Sequence, residues 1–124
     1  MAGFRTQGLD HVALSVRDLA ASERWYREVL GLERVHAEEW DVPVFLVAQG
    51  SGLALFPVEG REDGEPAVRI LHVAFRVDRA SFEAAQDALR ERRIDVQLAD
   101  HGISHSLYFS DPDGHTLELT TYEI

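Results

Sequence analysis

Residues 11–16 read HVALSV, and residues 72–77 read HVAFRV. The two stretches lie about half of the 124-residue chain apart, which indicates that the sequence contains two copies of one structural unit. In both copies bulky apolar residues alternate with other types, which predicts a β-strand with two unlike faces. Each predicted strand has an apolar face of valine with leucine or phenylalanine, and a second face that begins with a histidine.

A helical pattern follows each of these strands. Apolar side chains recur at helical spacing over residues 22–30, with Asp18 as the predicted N-cap and Gly31 just beyond the last turn. The second pattern is a thinner apolar stripe within residues 80–92. We expect the helices to pack on the apolar strand faces, so both histidine faces point away from the helices.

Three short β-like stretches follow each helix. They span residues 33–39, 43–49 and 53–58 in the first half and 94–99, 104–110 and 115–122 in the second. Residues 111–114 (DPDG) predict a tight turn before the last stretch, because proline presets φ and glycine accepts a positive φ. Residues 59–66 (EGREDGEP) are polar and rich in glycine and charge, which is typical of a connector.

The predicted fold class is α+β, with two βαβββ modules forming a curved, barrel-like mixed sheet with the helices outside. We expect one domain over residues 1–124. Its first module covers about 8–58, its connector 59–69 and its second module 70–124.

The composition excludes several kinds of chemistry. The chain has no cysteine and all 12 of its basic residues are arginine, so thiolate metal sites, a cysteine nucleophile and Schiff-base lysine chemistry are excluded. A formal net charge of −10 predicts a surface that repels phosphate backbones and anionic lipids. No stretch approaches about 18 apolar residues, and we expect a cytoplasmic protein with no nucleic-acid or membrane partner.

The predicted histidine faces carry a candidate metal site. His11 and His72 occupy matching positions on the repeated strands, and Glu118 lies on the last strand between two leucines that face the other way. The corresponding position of the first half is Ala54, so the repeat supplies two histidines and one carboxylate. Such a set binds divalent iron, manganese, nickel or zinc and leaves coordination positions open. Structural strand histidines with a solvated glutamate are the alternative.

Four segments carry a family resemblance: LDHVAL at 9–14, WYREVLGL at 25–32, LHVAF at 71–75 and LYFSDPDGHTLE at 107–118. They resemble the vicinal oxygen chelate superfamily, which includes glyoxalase I, extradiol dioxygenases, fosfomycin-resistance proteins, methylmalonyl-CoA epimerase and bleomycin-resistance proteins. The resemblance implies that His11, His72 and Glu118 are the metal ligands. It does not fix the reaction, because the superfamily runs several chemistries on one scaffold.

Residues 101–109 (HGISHSLYF) resemble the extradiol ring-cleavage dioxygenases, in which a tyrosine stands ten residues before the carboxylate ligand, as Tyr108 does before Glu118. This resemblance implies an oxidoreductase that cleaves a catechol-like substrate chelating the metal. Fe(II) or Mn(II) is the expected metal, with Zn(II) or Ni(II) as alternatives. His101 and Tyr108 are then the catalytic residues, because they can hydrogen-bond a diol and stabilise charge on bound oxygen. A loop histidine and a half-buried strand tyrosine are the alternative.

Four further residues are candidate substrate contacts: Ser15, Arg76, His105 and Ser106. Ser15 and Arg76 lie on the predicted histidine faces, and Ser106 shares a face with Tyr108. Arg76 is also the basic group on this face for a substrate of the fosfomycin-resistance kind, since the chain has no lysine.

Two departures from the dioxygenase pattern leave other functions open. Those enzymes resemble one another in a further acid–base histidine, and the matching region of this chain has Pro57, Val58 and Glu59 instead. Many of those enzymes also carry a second copy of the domain, whereas this chain has one. One alternative is a glyoxalase-like or fosfomycin-resistance-like lyase or transferase, whose metal acts as a Lewis acid. Another is a bleomycin-resistance-like drug-binding protein without catalysis, which the negative charge and the aromatic residues Trp40 and Phe45 favour.

Single-domain members of the superfamily also resemble homodimers, often with modules paired across subunits. The sheet edge predicted for each module is compatible with such pairing. In a paired dimer, His11 could come from one chain and His72 with Glu118 from the other.

Overall fold

The computed structural model describes residues 9–58, 70 and 72–124. The chain divides into two compact units, Met1–Glu62 and Asp63–Ile124. Each unit contains one helix and one four-stranded sheet among its described residues. The predicted connector at 59–69 lies outside the described residues.

The first unit follows the order strand, helix, strand, strand, strand. Its elements are β1 (His11–Val16), α1 (Leu19–Leu30), β2 (Glu33–Val35), β3 (Val44–Ala48) and β4 (Ser51–Pro57). The strands are ordered β1-β4-β3-β2, with β1 parallel to β4 and the other neighbours antiparallel. Parallel pairing of β1 with β4 requires the long connection that α1 and the hairpin strands supply.

The second unit repeats this topology. Its elements are β5 (Val73–Arg76), α2 (Arg79–Glu91), β6 (Gln97–Asp100), β7 (His105–Ser110) and β8 (Thr116–Thr121). The strands are ordered β5-β8-β7-β6, and only β5 and β8 are parallel among the neighbours of this described sheet. The prediction of an α+β chain built from two βαβββ modules is therefore confirmed.

Both helices begin at an aspartate that caps their free backbone N–H groups. The Asp18 carboxylate accepts a hydrogen bond from the Ala21 N–H at 3.0 Å, and the Asp78 carboxylate accepts one from the Ser81 N–H at 2.8 Å. The Ser81 N–H lowers the pKa of Asp78 below its ordinary value. Gly31 ends α1 with a φ of 71°. Neither helix in the described residues is long and apolar enough to cross a membrane.

Each sheet has a buried apolar face. In the first unit the buried side chains include Leu14, Val16, Leu46, Leu53 and Leu55, together with Tyr26 of α1. In the second unit they are Leu107, Phe109, Leu117 and Leu119, together with Phe82 and Leu89 of α2. Full burial of such a side chain contributes roughly 1.5–3 kcal/mol. Because side chains alternate along each strand, the opposite face of each sheet carries the polar and histidine side chains of the candidate site.

Two strands depart most from their predicted bounds, and the others shift by no more than two residues at an end. The stretch predicted over 33–39 ends at Val35, because His36 has a φ of 61° and its carbonyl accepts hydrogen bonds from Glu39 and Trp40. The stretch predicted over 94–99 begins only at Gln97, because Arg93 adopts a φ of 62° where the chain leaves α2. Positive φ at a residue other than glycine interrupts regular structure, and apolar alternation does not reveal it.

Candidate metal centre

The second sheet has a polar face that its pairing register defines. Side chains of directly paired residues lie on the same face of a sheet. Glu118 pairs with both Ala74 and Tyr108, and the neighbouring pairs extend the same face. This polar face consists of Ala74, Arg76, Gln97, Ala99, Ser106, Tyr108, Ser110, Thr116, Glu118 and Thr120.

A histidine and a carboxylate meet on the polar face. His72, immediately before β5, places its Nε2 3.1 Å from Oε1 of Glu118. The Glu118 side chain is only 10% exposed, whereas that of His72 is 44% exposed. The other carboxylate oxygen, Oε2, accepts a hydrogen bond of 2.6 Å from the Ser106 hydroxyl, which is fully buried. Ser106 thereby fixes the orientation in which Oε1 faces His72.

The donor atoms of this pair fit a divalent metal. Metal–ligand bonds of about 2.0–2.2 Å place neighbouring donors roughly 3 Å apart, and the separation of 3.1 Å between the His72 and Glu118 donors agrees with that. A serine that binds the second carboxylate oxygen is a typical support for a ligating carboxylate. Among the described residues of this unit, no third histidine, aspartate or glutamate joins the pair.

The two predicted catalytic residues also lie together. His101 Nε2 is 3.1 Å from the Tyr108 hydroxyl. The ring of Tyr108 lies edge-on to that of His72, with 5.9 Å between their centroids. Tyr108 therefore connects His101 to the His72–Glu118 pair along the polar face, and these four residues lie together as predicted from the sequence.

His105 lies on the opposite face of the sheet from Glu118. Its Nδ1 accepts hydrogen bonds from the Arg79 guanidinium at 3.0 and 3.2 Å, and its Nε2 is 3.7 Å from the Asp100 carboxylate. Its ring lies 6.5 Å from that of Phe82 in α2. The structure does not bring His105 to the polar face, because β7 alternates and Ser106 occupies that side.

Arg76 lies on the polar face, two residues along β5 from the position paired with Glu118. Its guanidinium carbon is 4.9 Å from the centroid of the Tyr122 ring, which is a cation–π distance. Arg76 therefore contacts Tyr122, and it pairs with Thr120, the next residue after Glu118 on the polar face.

His11 belongs to the first unit, at the start of β1. Its Nδ1 is 2.9 Å from the Asp10 carboxylate, and its ring lies edge-on to Phe45 at 5.0 Å. Ser15 is exposed and shares the His11 face, as does the fully buried Ala54. Ala54 pairs with Ala13 as Glu118 pairs with Ala74, so the first unit has alanine at its equivalent of the carboxylate position.

Sequence reasoning missed two neighbours of the predicted residues. The Asp10 carboxylate accepts a hydrogen bond from His11 Nδ1–H in the tautomer that leaves Nε2 free to ligate a metal. The ring of His36 lies tilted against Trp40 and edge-on to Phe45, at centroid distances of 5.1 and 5.7 Å. The acid directly before His11 was a readable signal for Asp10. The apolar alternation did not indicate that His36 contacts these aromatic residues, because His36 has a left-handed backbone that interrupts the alternation.

Proteins of known activity resemble this chain over most of its length. Glutathione transferase FosA of Serratia marcescens is 33% identical over 114 residues, covering 91% of this chain and 79% of that protein. Metallothiol transferase FosB of Staphylococcus haemolyticus is 30% identical over 118 residues, covering 93% of this chain and 84% of that protein. Biphenyl-2,3-diol 1,2-dioxygenase 3 of Rhodococcus globerulus is 34% identical over 126 residues, but this chain spans only 63% of its length. All three relatives are enzymes.

A solved structure shares the fold. A glyoxalase/dioxygenase from Nostoc punctiforme superimposes with a TM-score of 0.78 at 26% identity, covering 98% of this chain and 94% of that one. Residues 8–119 match one family along nearly the whole sequence. This chain belongs to the Glyoxalase/Bleomycin resistance protein/Dioxygenase superfamily.

Proposed function

We propose that this chain is a divalent-metal-dependent transferase that adds an external thiol to an electrophilic small molecule. The pairing of His72 with Glu118 on the polar face carries the proposal, because it offers two ligands at metal-binding separation. Similarity to a glutathione transferase and to a metallothiol transferase supports this reaction over ring cleavage. The thiol must be a cosubstrate, since the chain contains no cysteine.

His72 and Glu118 would hold the metal, with His11 as the third ligand. When bound, the metal supplies Lewis acidity toward a chelating substrate. Fe(II), Mn(II), Zn(II) and Ni(II) all suit a donor set of imidazole and carboxylate. Which of them is bound depends on cellular availability as well as on ligand type. Ser106 keeps the Glu118 carboxylate in one orientation, and Asp10 does the same for the His11 ring.

The reaction moves one proton as the bonds change. The thiol sulfur forms a bond to the electrophilic carbon, the bond from that carbon to the leaving oxygen breaks, and the thiol proton ends on that oxygen. Tyr108 and His101 share a hydrogen bond of 3.1 Å and can hold or pass this proton at the Tyr108 hydroxyl. Arg76 is the arginine of the polar face and would attract an anionic group of the electrophile.

Thiol consumption by the metal-reconstituted protein tests the proposal. Fosfomycin with glutathione is the first substrate pair, with Mn(II) as the metal. We expect thiol loss in the wild type and background rates in His72→Ala and Glu118→Gln, since each removes a ligand. Glu83→Gln is the matched control, because this exposed residue of α2 lies outside the polar face. Metal-dependent catechol cleavage with O2 and no thiol loss would contradict the proposal.

Ring cleavage of a catechol is the second candidate function. The hydrogen bond between His101 and Tyr108 favours it, because this pair could bind a chelating diol. The 34% identity to a diol dioxygenase also supports it.

A wild-type protein that holds no metal would instead favour a drug-binding module. The homodimer and the cytoplasmic location stay predictions from the sequence.

A further inference from the structure

A polar groove lies beside Tyr108 in the second unit. Its volume is about 490 Å³, and its lining includes Arg93, Asp95, Gln97, Tyr108, Ser110 and Thr116. Four of these residues belong to the polar face, so the groove extends that face beyond the His72–Glu118 pair. It lies at the end of β7 where the strand turns toward β8.

The groove carries one side chain of each charge. Arg93 and Asp95 follow α2 and are both exposed. The backbone N–H of Arg93 donates a hydrogen bond to the Arg90 carbonyl at 2.8 Å. Arg93 has a φ of 62°, so it no longer follows the helical backbone of α2. Within the part of the chain that the structure describes, neither the guanidinium nor the carboxylate has an ion-pair partner. Both charges are therefore available to a ligand.

The groove adjoins the candidate metal centre without containing its donor atoms. Tyr108 lines the groove, and its ring lies 5.9 Å from that of His72. A substrate that chelates the metal would occupy the space at His72 and Glu118. The second reactant then needs a neighbouring site of its own, from which its sulfur can reach the electrophile.

We propose that this groove binds the thiol cosubstrate and selects thiols of the amino-acid type, an inference that rests on the proposed transferase function. The ligand carboxylate pairs with Arg93, whose planar guanidinium suits a carboxylate. The ligand ammonium pairs with Asp95. The side chains of Gln97, Ser110 and Thr116 supply the amide and hydroxyl groups that hydrogen-bond a peptide-like backbone.

Three thiols of different charge test the groove with the metal-reconstituted protein. Glutathione has carboxylates and an ammonium group, 3-mercaptopropionate has only a carboxylate, and 2-mercaptoethanol is uncharged. We expect Arg93→Gln to raise KM about 2- to 5-fold for the first two thiols, as an exposed ion pair allows, and to leave KM for 2-mercaptoethanol unchanged. Asp95→Asn should raise KM for glutathione alone. Arg90→Gln, in the last turn of α2, is the control.

Equal changes for all three thiols, or no change with glutathione in Arg93→Gln, would overturn the groove assignment while leaving the transferase reaction intact. Equilibrium dialysis of glutathione separates the two proposals if the wild type consumes no thiol. Saturable binding that Arg93→Gln weakens would then support the groove, although the transferase proposal had failed. Absence of binding would overturn the groove.

Discussion

At the residue scale, the two oxygens of Glu118 have different partners. Oε1 faces His72, whereas Oε2 accepts the Ser106 hydroxyl. Ser106 also lies 3.2 Å from the Thr120 hydroxyl. Ser106 gives its proton to Glu118 at the shorter distance, and the Thr120 hydroxyl donates to the His105 carbonyl at 3.5 Å. A short chain of hydroxyls thus fixes a carboxylate that burial would otherwise destabilise.

We predict that Ser106→Ala weakens metal binding about 10- to 100-fold, the effect typical of removing a supporting hydrogen bond from a ligating side chain. Calorimetric titration of the metal-free protein with Zn(II) or Mn(II) measures this directly. Ser110→Ala is the matched control, because Ser110 lies on the same strand and face but is exposed. Equal affinities for Ser106→Ala and the wild type would contradict the supporting role of Ser106 at the metal ligand.

Tyr108 should affect turnover rather than metal binding. Its hydroxyl contacts His101, and its ring approaches His72 without supplying a donor to the pair. We expect Tyr108→Phe to lower kcat about 10-fold or more, since a positioned proton donor contributes typically 10²–10⁴-fold. Metal content should match the wild type. Loss of metal together with activity would show that Tyr108 supports the ligands rather than the proton transfer.

At the element scale, α2 depends on its aspartate cap. The Ser81 N–H hydrogen bond lowers the pKa of Asp78 from its usual 3.8. A lowered pKa in the folded state means that the charged cap stabilises the fold above pH 3.8, and this contribution is lost as pH falls through the lowered value. We predict that Asp78→Asn unfolds at lower urea than the wild type at neutral pH, and that this gap narrows below pH 3.8. Asp87→Asn, in the interior of the same helix, controls for the lost charge. A gap independent of pH would contradict this origin.

Elements with regular periodicity were predictable, and their interruptions were not. The alternation of Leu117 and Leu119 around Glu118 placed the carboxylate on its face, because that pattern reflects burial of one side of a strand. The early end of β2 and the late start of β6 depend on positive φ at His36 and Arg93. Neither residue is glycine, so the usual sequence signal for that conformation was absent. The hydrogen bond between Ser106 and Glu118 could not be predicted either, because the register between β7 and β8 depends on the turn that connects them.

At the scale of the whole molecule, two units of one topology carry different chemistry. Each has a histidine at the start of its first strand region, but only the second has a carboxylate where the first has Ala54. The repeat therefore predicts how many ligands the chain supplies. It cannot predict which copies of the chain combine them, because identical units can pair within one chain or between two chains.

Complementation between two inactive variants resolves how the ligands combine. The resemblance implies a homodimer and leaves two arrangements open. In the first, His11 of one chain completes the His72–Glu118 pair of the other. A mixed dimer of His11→Ala and Glu118→Gln then has one site without either change and one site with both. Co-refolding equal amounts should restore about a quarter of the wild-type activity per chain, since about half the dimers are mixed and each has one working site. If each chain supplies all three ligands itself, every site in the mixture keeps one lesion. The mixture would then stay as inactive as its two components, although light scattering still reports a dimer.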